Sequence, residues 1–307
     1  MSKRKFTITL MLATMIVMMA SCNVNGTGSS PSEVAEDNTL IIDNPDTSIV
    51  DRDGKAMIKI EGFGEFQFYP NAVERVRPDL FREGHFSVFA ALKHIAEQNS
   101  EIDLKYHYDS YTKTHMIDNL NGDNNWWYIA FYSGGWSERN SFRMDHFPYK
   151  DDMYIKIYQV ERSALRDNFR HFENEVETIA ENDGKIILPQ VTIDGPSTDL
   201  YFTDVELTAH NLRDDMFQED VITAIDVIMS LGDQGKLQYD TTWYESIGSA
   251  EIVKNYFISQ IDDDVHNGRC DFVYECGKAG LHNHIHIPSD TRVIVSPEYI
   301  SWFWICL

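Results

Sequence analysis

The amino-acid sequence predicts an α+β protein built from two tandem copies of one unit, each a small mixed sheet covered by one helix. Two observations carry this prediction. Several short alternating apolar runs surround one apolar segment of helical period in each half. In addition, the chain resembles itself at an offset of 133 residues, which divides its 307 residues into two similar halves.

The offset aligns a strand and a helix in each half. Ile58–Gly62 aligns with Val191–Gly195, and both segments alternate in polarity and end in an acidic residue followed by glycine. Ser87–Ile95 aligns with Asp220–Ile228, and each begins with a helix-capping residue and continues with apolar residues at helical spacing. We therefore expect helices over 87–97 and 220–231.

Later in each half the copies continue with a few inserted residues. His146–Pro148 aligns with His286–Pro288, and an acidic turn and an apolar strand follow both. These alignments predict a first unit over residues 55–158 and a second over 188–307. The polar segment 159–187 belongs to neither unit and is expected to form a connecting helix.

The N-terminal segment is typical of a lipoprotein signal peptide. Three basic residues precede an apolar run over residues 6–20, which is too short to span a bilayer. Small residues lead directly to Cys22, as in the bacterial lipobox, where the cysteine is lipidated and becomes the new N-terminus. We predict a signal peptide over residues 1–21, a flexible tether over 22–54 and attachment to the membrane through lipid on Cys22, outside the cytoplasm at the cell surface.

The charge of the chain excludes one class of partner. Lys and Arg number 26 against 49 Asp and Glu, so the formal net charge is -23. A phosphate backbone would be repelled, and an anionic bilayer surface would gain nothing from such a chain. Nucleic acid is therefore not an expected partner.

Three cysteines remain besides Cys22, and disulfides are permitted outside the cytoplasm. Because the number is odd, at most one bridge can form within the chain. Cys270 and Cys276 lie six residues apart on a predicted strand, roughly 20 Å when extended, which is too far for a bridge. The sequence therefore predicts that Cys306 pairs with one of these two.

The order of three segments resembles a known family. They are the helix segment Ser87-Val-Phe-Ala-Ala-Leu, the hairpin segment Trp126-Trp-Tyr-Ile-Ala-Phe-Tyr-Ser-Gly-Gly and the strand segment Asp151-Asp-Met-Tyr-Ile-Lys-Ile-Tyr. This order is similar to the carboxy-terminal β domain of transcobalamin and intrinsic factor, which also occurs in bacterial surface lipoproteins. The resemblance covers residues 56–158 well and 186–305 more loosely.

The resemblance implies a β-grasp-like fold for each unit and a domain that holds a ligand. In the vertebrate carriers that ligand is cobalamin. The chain has no room for the helical barrel that forms the other half of the carriers' site. From the resemblance, the expected ligand is a corrinoid or another tetrapyrrole, and the expected downstream partner is an outer-membrane transporter.

Aromatic residues crowd the predicted hairpin and the C-terminus. On an alternating strand one aromatic face belongs in the core, and the other must cover either the sister unit or the ring of a ligand. The sequence leaves these two alternatives open. The candidate ligand-binding residues are Trp126, Trp127, Tyr132, Trp136, His146, Trp302 and Trp304.

Three histidines alternate along a predicted strand, at His282, His284 and His286. Residues at this spacing share one strand face, so their imidazoles could ligate one metal ion, including the metal of a tetrapyrrole. The alternative is a solvated strand face. An acidic loop at Asp262–Asp264 similarly suggests either a calcium site or a hydrated turn.

The sequence carries no recognisable catalytic motif. A nucleophile elbow, a zinc-protease motif and a phosphate-binding loop are all missing from it. We therefore expect a protein that is not an enzyme and needs no catalytic cofactor. The preferred function is a surface lipoprotein that binds cobalamin or a related tetrapyrrole for uptake, and the alternative is an adhesion or structural module that binds a protein or glycan.

Overall fold

The computed structural model describes residues 56–131, 137–139, 142–151, 153–246, 253–278 and 288–306. Over these residues the chain is α+β, as the sequence predicts. The helices are α1 (Val88–Gln98), α2 (Arg162–Glu181) and α3 (Ile225–Asp233). The strands are β1 (Ala56–Ile60), β2 (Gly64–Phe68), β3 (Leu104–Asp109), β4 (Thr114–Leu120), β5 (Trp126–Phe131), β6 (Ser137–Arg139), β7 (Tyr154–Gln159), β8 (Ile187–Asp194), β9 (Asp199–Glu206), β10 (Tyr239–Tyr244), β11 (Asn255–Ile261), β12 (Asp264–Val265), β13 (Cys270–Gly277) and β14 (Tyr299–Cys306).

The two larger sheets share one order of strands. The first has the order β2-β1-β7-β5-β6, and the second has the order β9-β8-β14-β13. In each sheet the strand that comes first in the chain, β1 or β8, pairs antiparallel with the next strand, β2 or β9. It pairs parallel with the strand that comes last in the chain, β7 or β14. A parallel pair needs a long crossover connection, and α1 or α3 with a separate hairpin, β3–β4 or β10–β11, lies in that connection.

The first helix begins where the sequence predicts. The Ser87 hydroxyl accepts a hydrogen bond from the backbone N–H of Ala90 at 3.3 Å, which caps α1. Its buried residues lie one turn apart, including Val88, Leu92 and Ile95. Burial of this apolar stripe is what stabilises so short a helix.

The predicted start of the second helix, at Asp220, is wrong. Helix α3 begins at Ile225, because Thr223 is held by a β-bridge to Val293 and both its backbone N–H and its hydroxyl donate to the Asp226 carboxylate. The residue equivalent to Ser87 is therefore Thr223, at an offset of 136 rather than 133. The sequence alignment was displaced by almost one helical turn, which preserves apolar spacing and so conceals the error.

Backbone hydrogen bonds around the two helices follow this corrected offset. Val88 N–H donates to Phe147 O, and Ala224 N–H donates to Arg292 O, at 2.9 and 2.8 Å. Near the end of each half the equivalence is therefore Phe147 with Arg292, an offset of 145. This corrects the alignment of His146 with His286, since the residue equivalent to His146 is Thr291.

The two halves also touch at equivalent residues. Phe81 and Phe217 form an antiparallel β-bridge, and their rings lie 5.5 Å apart. Arg82 N–H donates to Met216 O, and Gln218 N–H donates to Leu80 O, both at 2.9 Å. Because 216–218 are equivalent to 80–82, each hydrogen bond is the counterpart of the other. The contact has the form of a local twofold axis, at which a segment meets its own equivalent.

Helix α2 lies in the segment predicted to connect the units. Its buried residues are Leu165, His171, Phe172 and Glu175, which form one face. That face packs on β5, where the Trp127 ring lies 6.2 Å from the Phe169 ring and 6.4 Å from the Phe172 ring. Among the residues that the structure describes, no helix is long and apolar enough to cross a membrane.

Candidate functional site

One surface depression in the described residues lies between β4, β5 and α2. Its volume of about 310 Å³ includes open solvent, and its interior has room for about one water molecule. It combines two of the predicted tryptophans with side chains that the sequence did not single out. The lining includes Phe89, His115, Trp126, Trp127, Arg143 and Phe172.

Both tryptophans at this cleft are buried. Trp126 is only 3% exposed, and its indole N–H donates to Asp123 O at 2.9 Å. Trp127 is 7% exposed because α2 covers its outer face. The sequence left the sister unit or a ligand ring as the cover for the second aromatic face, whereas the connecting helix α2 covers Trp127.

Beneath the cleft, Arg143 forms a buried ion pair with Glu175, and His171 lies 3.3 Å from the same carboxylate. The guanidinium of Arg143 also lies 4.2 Å from the centre of the Phe172 ring. Burial opposes ionisation of Glu175, but the charges of Arg143 and His171 outweigh it and lower the pKa of Glu175 to about 2. Helix α2 is thus fixed by a charged contact to the loop that carries Arg143 and by an apolar contact to β5.

A group of buried polar side chains around Asp145, which we call the first buried cluster, lies behind the hairpin β3–β4. The Asp145 carboxylate is fully buried and accepts from Arg77 Nη1 at 3.1 Å, from Thr114 Oγ1 at 2.5 Å and from His115 N–H at 2.9 Å. Arg77 also donates to Asp79 and to Lys113 O. The cluster therefore joins the hairpin β3–β4 to the loop that carries Asp145 and contacts the start of α1.

An equivalent second buried cluster lies behind the hairpin β10–β11. Asp290 accepts from Arg213 Nη1 at 2.9 Å, from Asn255 Nδ2 at 2.6 Å and from Tyr256 N–H at 2.8 Å. Arg213 also donates to Asp215, as Arg77 does to Asp79. Burial by itself would lower the pKa of Arg213, but Asp290 and Asp215 hold it above its usual range.

Sequence reasoning missed both clusters, although a signal for them exists. Arg77-x-Asp79-x-Phe81 recurs as Arg213-x-Asp215-x-Phe217 at the offset of 136. The alignment at 133 passed over this repeat. The carboxylates Asp145 and Asp290, which complete the clusters, lie 68 and 77 residues from their arginine partners.

The other predicted ligand-binding residues that the structure describes are mostly internal. His146 is buried beside Asp145, and burial lowers its pKa to about 3. Trp302 is buried and stacks on Tyr274 with ring centres 5.1 Å apart. Trp304 is half-buried, with its ring against Phe272 at 4.9 Å. Both C-terminal tryptophans therefore pack on side chains of the neighbouring strand β13.

Several predicted residues lie outside the described residues. They are Cys22, Tyr132, Trp136, His282, His284 and His286. In the part of the chain that is described, no group of three or more His, Cys, Asp or Glu side chains is placed to hold a metal ion. In the acidic loop, Asp264 is buried and accepts from the N–H groups of Ser197 and Thr198 instead.

The disulfide joins Cys270 to Cys306, one of the two pairings that the sequence left open. The two cysteines are directly opposite each other on the antiparallel strands β13 and β14. Cys276 is buried at the other end of β13. Cys270 and Cys276 therefore lie on one extended strand, as the sequence predicted when it excluded a bridge between them.

A group of exposed aromatic side chains belongs to the hairpin β3–β4. Tyr106, Tyr108 and Tyr111 are 37%, 47% and 50% exposed. The first two lie on one face of β3 and pack on the His115 ring, which in turn stacks on Phe89 of α1 at 4.9 Å. We call the side chains of Tyr106 and Tyr108 the tyrosine face. Both are supported by His115 and Phe89, whereas the Tyr111 hydroxyl lies apart from them and donates to Glu177 Oε1 of α2 at 3.4 Å.

No family model, curated protein or solved structure matches this chain. The resemblance to the transcobalamin and intrinsic factor domain therefore remains a prediction. The chemistry that the site can support follows from its own geometry.

Proposed function

We propose that the protein is a lipid-anchored surface module that binds a neutral glycan and carries out no catalysis. The tyrosine face is the observation that carries this proposal. Aromatic rings that bear hydroxyl groups offer both an apolar surface and hydrogen bonds, which suits a sugar ring. Exposed apolar groups that cluster, rather than scatter singly, mark interaction sites.

The charge of the chain narrows the partner. A net charge of -23 repels anionic polysaccharides, whereas a neutral glycan is not repelled. Rigid support from His115 and Phe89 lowers the entropic cost of binding, since the tyrosines are already ordered. A protein partner is the alternative within the same adhesion function.

The proposed architecture is two copies of one β-grasp-like unit. The common strand order, the parallel pairing of first and last strands and the two equivalent buried clusters support it. The first copy spans 55–158 and the second 188–307, and α2 connects them. In this arrangement the buried clusters position the hairpins, and the hairpin of the first copy presents the tyrosine face.

An array of neutral glycans tests the proposal directly. The double variant Tyr106→Ala/Tyr108→Ala is compared with Tyr201→Ala, which removes a more exposed tyrosine from β9. We expect the double variant to lose at least tenfold in affinity for any glycan that the wild type binds, and Tyr201→Ala to bind normally. Absence of binding by the wild type, or an equal loss in both variants, would refute the glycan proposal.

Corrinoid binding remains a second candidate because the cleft combines Trp126 and Trp127 with the imidazole of His115. The interior of the cleft has room for only about one water molecule, so a corrinoid would require the cleft to open. Gel filtration after incubation with cobalamin decides this case: retained colour supports the uptake function, with a transporter as the receiving partner. Loss of all colour at micromolar protein would remove the candidate.

Attachment through Cys22 is also a proposal, based on the lipobox. Membrane-extracted protein should have a mass that starts at Cys22 and includes acyl groups. A Cys22→Ser variant is the control and should leave the membrane fraction. A mature wild-type chain that begins at another residue would contradict the proposal.

A further inference from the structure

The second buried cluster holds one side chain that comes from the other half of the chain. Lys150 reaches across to β11, where its Nζ donates to Val253 O at 2.6 Å and is in direct contact with Asn255 Oδ1. Lys150 is separated from Asn255 by 105 residues. An amine and a carboxamide from distant parts of the sequence therefore meet inside the protein.

The carboxamide of Asn255 is held at both ends. Asn255 is fully buried, and while its Oδ1 faces Lys150, its Nδ2 donates to Asp290 Oδ1 at 2.6 Å. Asp290 is also fully buried, and Arg213 and the N–H of Tyr256 fix its other oxygen. The side-chain carbonyl carbon of Asn255 thus cannot turn away from the amine.

The protonation of Lys150 favours reaction rather than a plain ion pair. Burial lowers the pKa of Lys150 to about 7, although the carboxylate of Asp290 opposes the change. Close to neutral pH, a large share of this amine is then unprotonated, and its nitrogen carries a lone electron pair. A desolvated lysine of this kind is a nucleophile.

The first buried cluster indicates that the fold itself needs neither the lysine nor the asparagine. There Thr114 occupies the position equivalent to Asn255, and its hydroxyl satisfies Asp145. The residue equivalent to Lys150 is Val295, since Tyr149 and Ile294 make equivalent backbone hydrogen bonds. A reactive amine and an electrophilic amide therefore occur together in only one of these two clusters.

We propose that Lys150 and Asn255 are joined by an intramolecular isopeptide bond that forms once the chain has folded. Nζ of Lys150 forms a bond to Cγ of Asn255, and the bond from Cγ to Nδ2 breaks. One proton passes from Nζ to Nδ2, and ammonia leaves. The reaction needs no oxidant, reductant or cofactor. Asp290 accepts a hydrogen bond from Nδ2 and so holds the leaving nitrogen in place.

The bond would have a mechanical consequence. It would join the loop before β7 to the start of β11, and so link the two halves of the chain covalently. The disulfide between Cys270 and Cys306, by contrast, links two strands of the same sheet. An isopeptide bond is also unaffected by reducing agents, unlike that disulfide.

Mass spectrometry of the purified full chain tests the proposal. After reduction, alkylation and proteolysis, we expect one branched peptide that contains both Lys150 and Asn255 and is one ammonia lighter than its two parts together. Recovery of two separate linear peptides from the wild type would overturn the proposal. This outcome is decisive whether or not any variant folds.

Two matched variants identify the reacting groups. Lys150→Arg keeps the positive charge but is not a nucleophile at neutral pH. Asn255→Thr introduces the residue that the first buried cluster uses and removes the electrophile. Both should give only linear peptides at residues 150 and 255, with no loss of ammonia from either peptide. Loss of ammonia from asparagine-glycine sites such as Asn121-Gly122 would persist in both variants, and a branched peptide that also persisted would refute the assignment.

Discussion

Replacement of Asp145 by Asn tests whether the first buried cluster fixes the hairpin that carries the tyrosine face. The substitution keeps the shape of the side chain but removes its charge. The Asp145 carboxylate contacts the guanidinium of Arg77 at 3.1 Å and the ring nitrogen Nδ1 of His115 at 2.9 Å. Hydrogen bonds to charged groups contribute about 1.5 to 3 kcal/mol each, and the amide retains part of them. We expect a loss of about 3 kcal/mol in the free energy of unfolding.

The matched control is Asp79→Asn. Asp79 pairs with the same arginine, but its side chain is 58% exposed, whereas that of Asp145 is not exposed at all. Exposed ion pairs contribute less than about 1 kcal/mol because water screens them. Urea denaturation at pH 7 should therefore separate the two variants clearly.

The pH dependence gives a second readout for Asp145→Asn. Burial would raise the pKa of Asp145, but the hydrogen bond from His115 and the charge of Arg77 hold it well below the usual 3.8. A lowered carboxyl pKa stabilises the folded state above pH 3.8 and loses this effect as the pH falls. The difference between wild type and variant should narrow by about 1 kcal/mol between about pH 5 and pH 3. A loss at pH 7 no larger than that of Asp79→Asn, or a difference that does not change with pH, would refute the reasoning.

Three further predictions concern stability. Phe81→Ala should lower the free energy of unfolding by about 3 to 5 kcal/mol, because the ring is fully buried against Phe217. A calorimetric scan that shows no decrease in melting temperature would contradict this. His146→Thr should make stability less sensitive to acid: the native pKa of about 3 lies below the ordinary 6.5, so the unfolded chain binds the proton first and wild-type stability falls as the pH drops from 6.5 towards 3. Urea midpoints at pH 7, 6, 5 and 4 measure the two slopes, and equal slopes would be the contrary result. Cys306→Ser should lower the free energy of unfolding by about 2 to 4 kcal/mol, because it removes the disulfide to Cys270. Reduction of the wild type should cause the same loss. A reduced wild type that unfolds at the same urea midpoint as the unreduced protein would count against this prediction.

Features of the fold that depend on neighbouring residues could be predicted from the sequence. Ser87 identified the start of α1, because a capping hydroxyl acts on the adjacent turn. Strand spacing excluded a bridge between Cys270 and Cys276, because an extended backbone has a fixed rise per residue. Both inferences needed only neighbouring residues.

Long-range packing was not predictable in the same way. The period of apolar residues is preserved when a helix is shifted by about one turn, so the start of α3 at Ile225 could not be read from apolar spacing. Trp127 looked like an unpaired aromatic because nothing in the strand pattern says that α2 covers it. Arg77 and Asp145 carry no local signal for each other, and only the repeated Arg-x-Asp-x-Phe motif could have suggested the cluster.

The contact between Phe81 and Phe217 has a consequence for the history of the chain. A segment that pairs with its own equivalent across a local twofold axis is what two identical subunits form in a homodimer. A gene for one unit that dimerised in this way and was later duplicated and fused would leave this contact in place. Fusion also releases each half from the requirement to be identical. Lys150 and Asn255 have Val295 and Thr114 as their equivalents in the other half, so this pair is a change that a homodimer would have been forced to make twice.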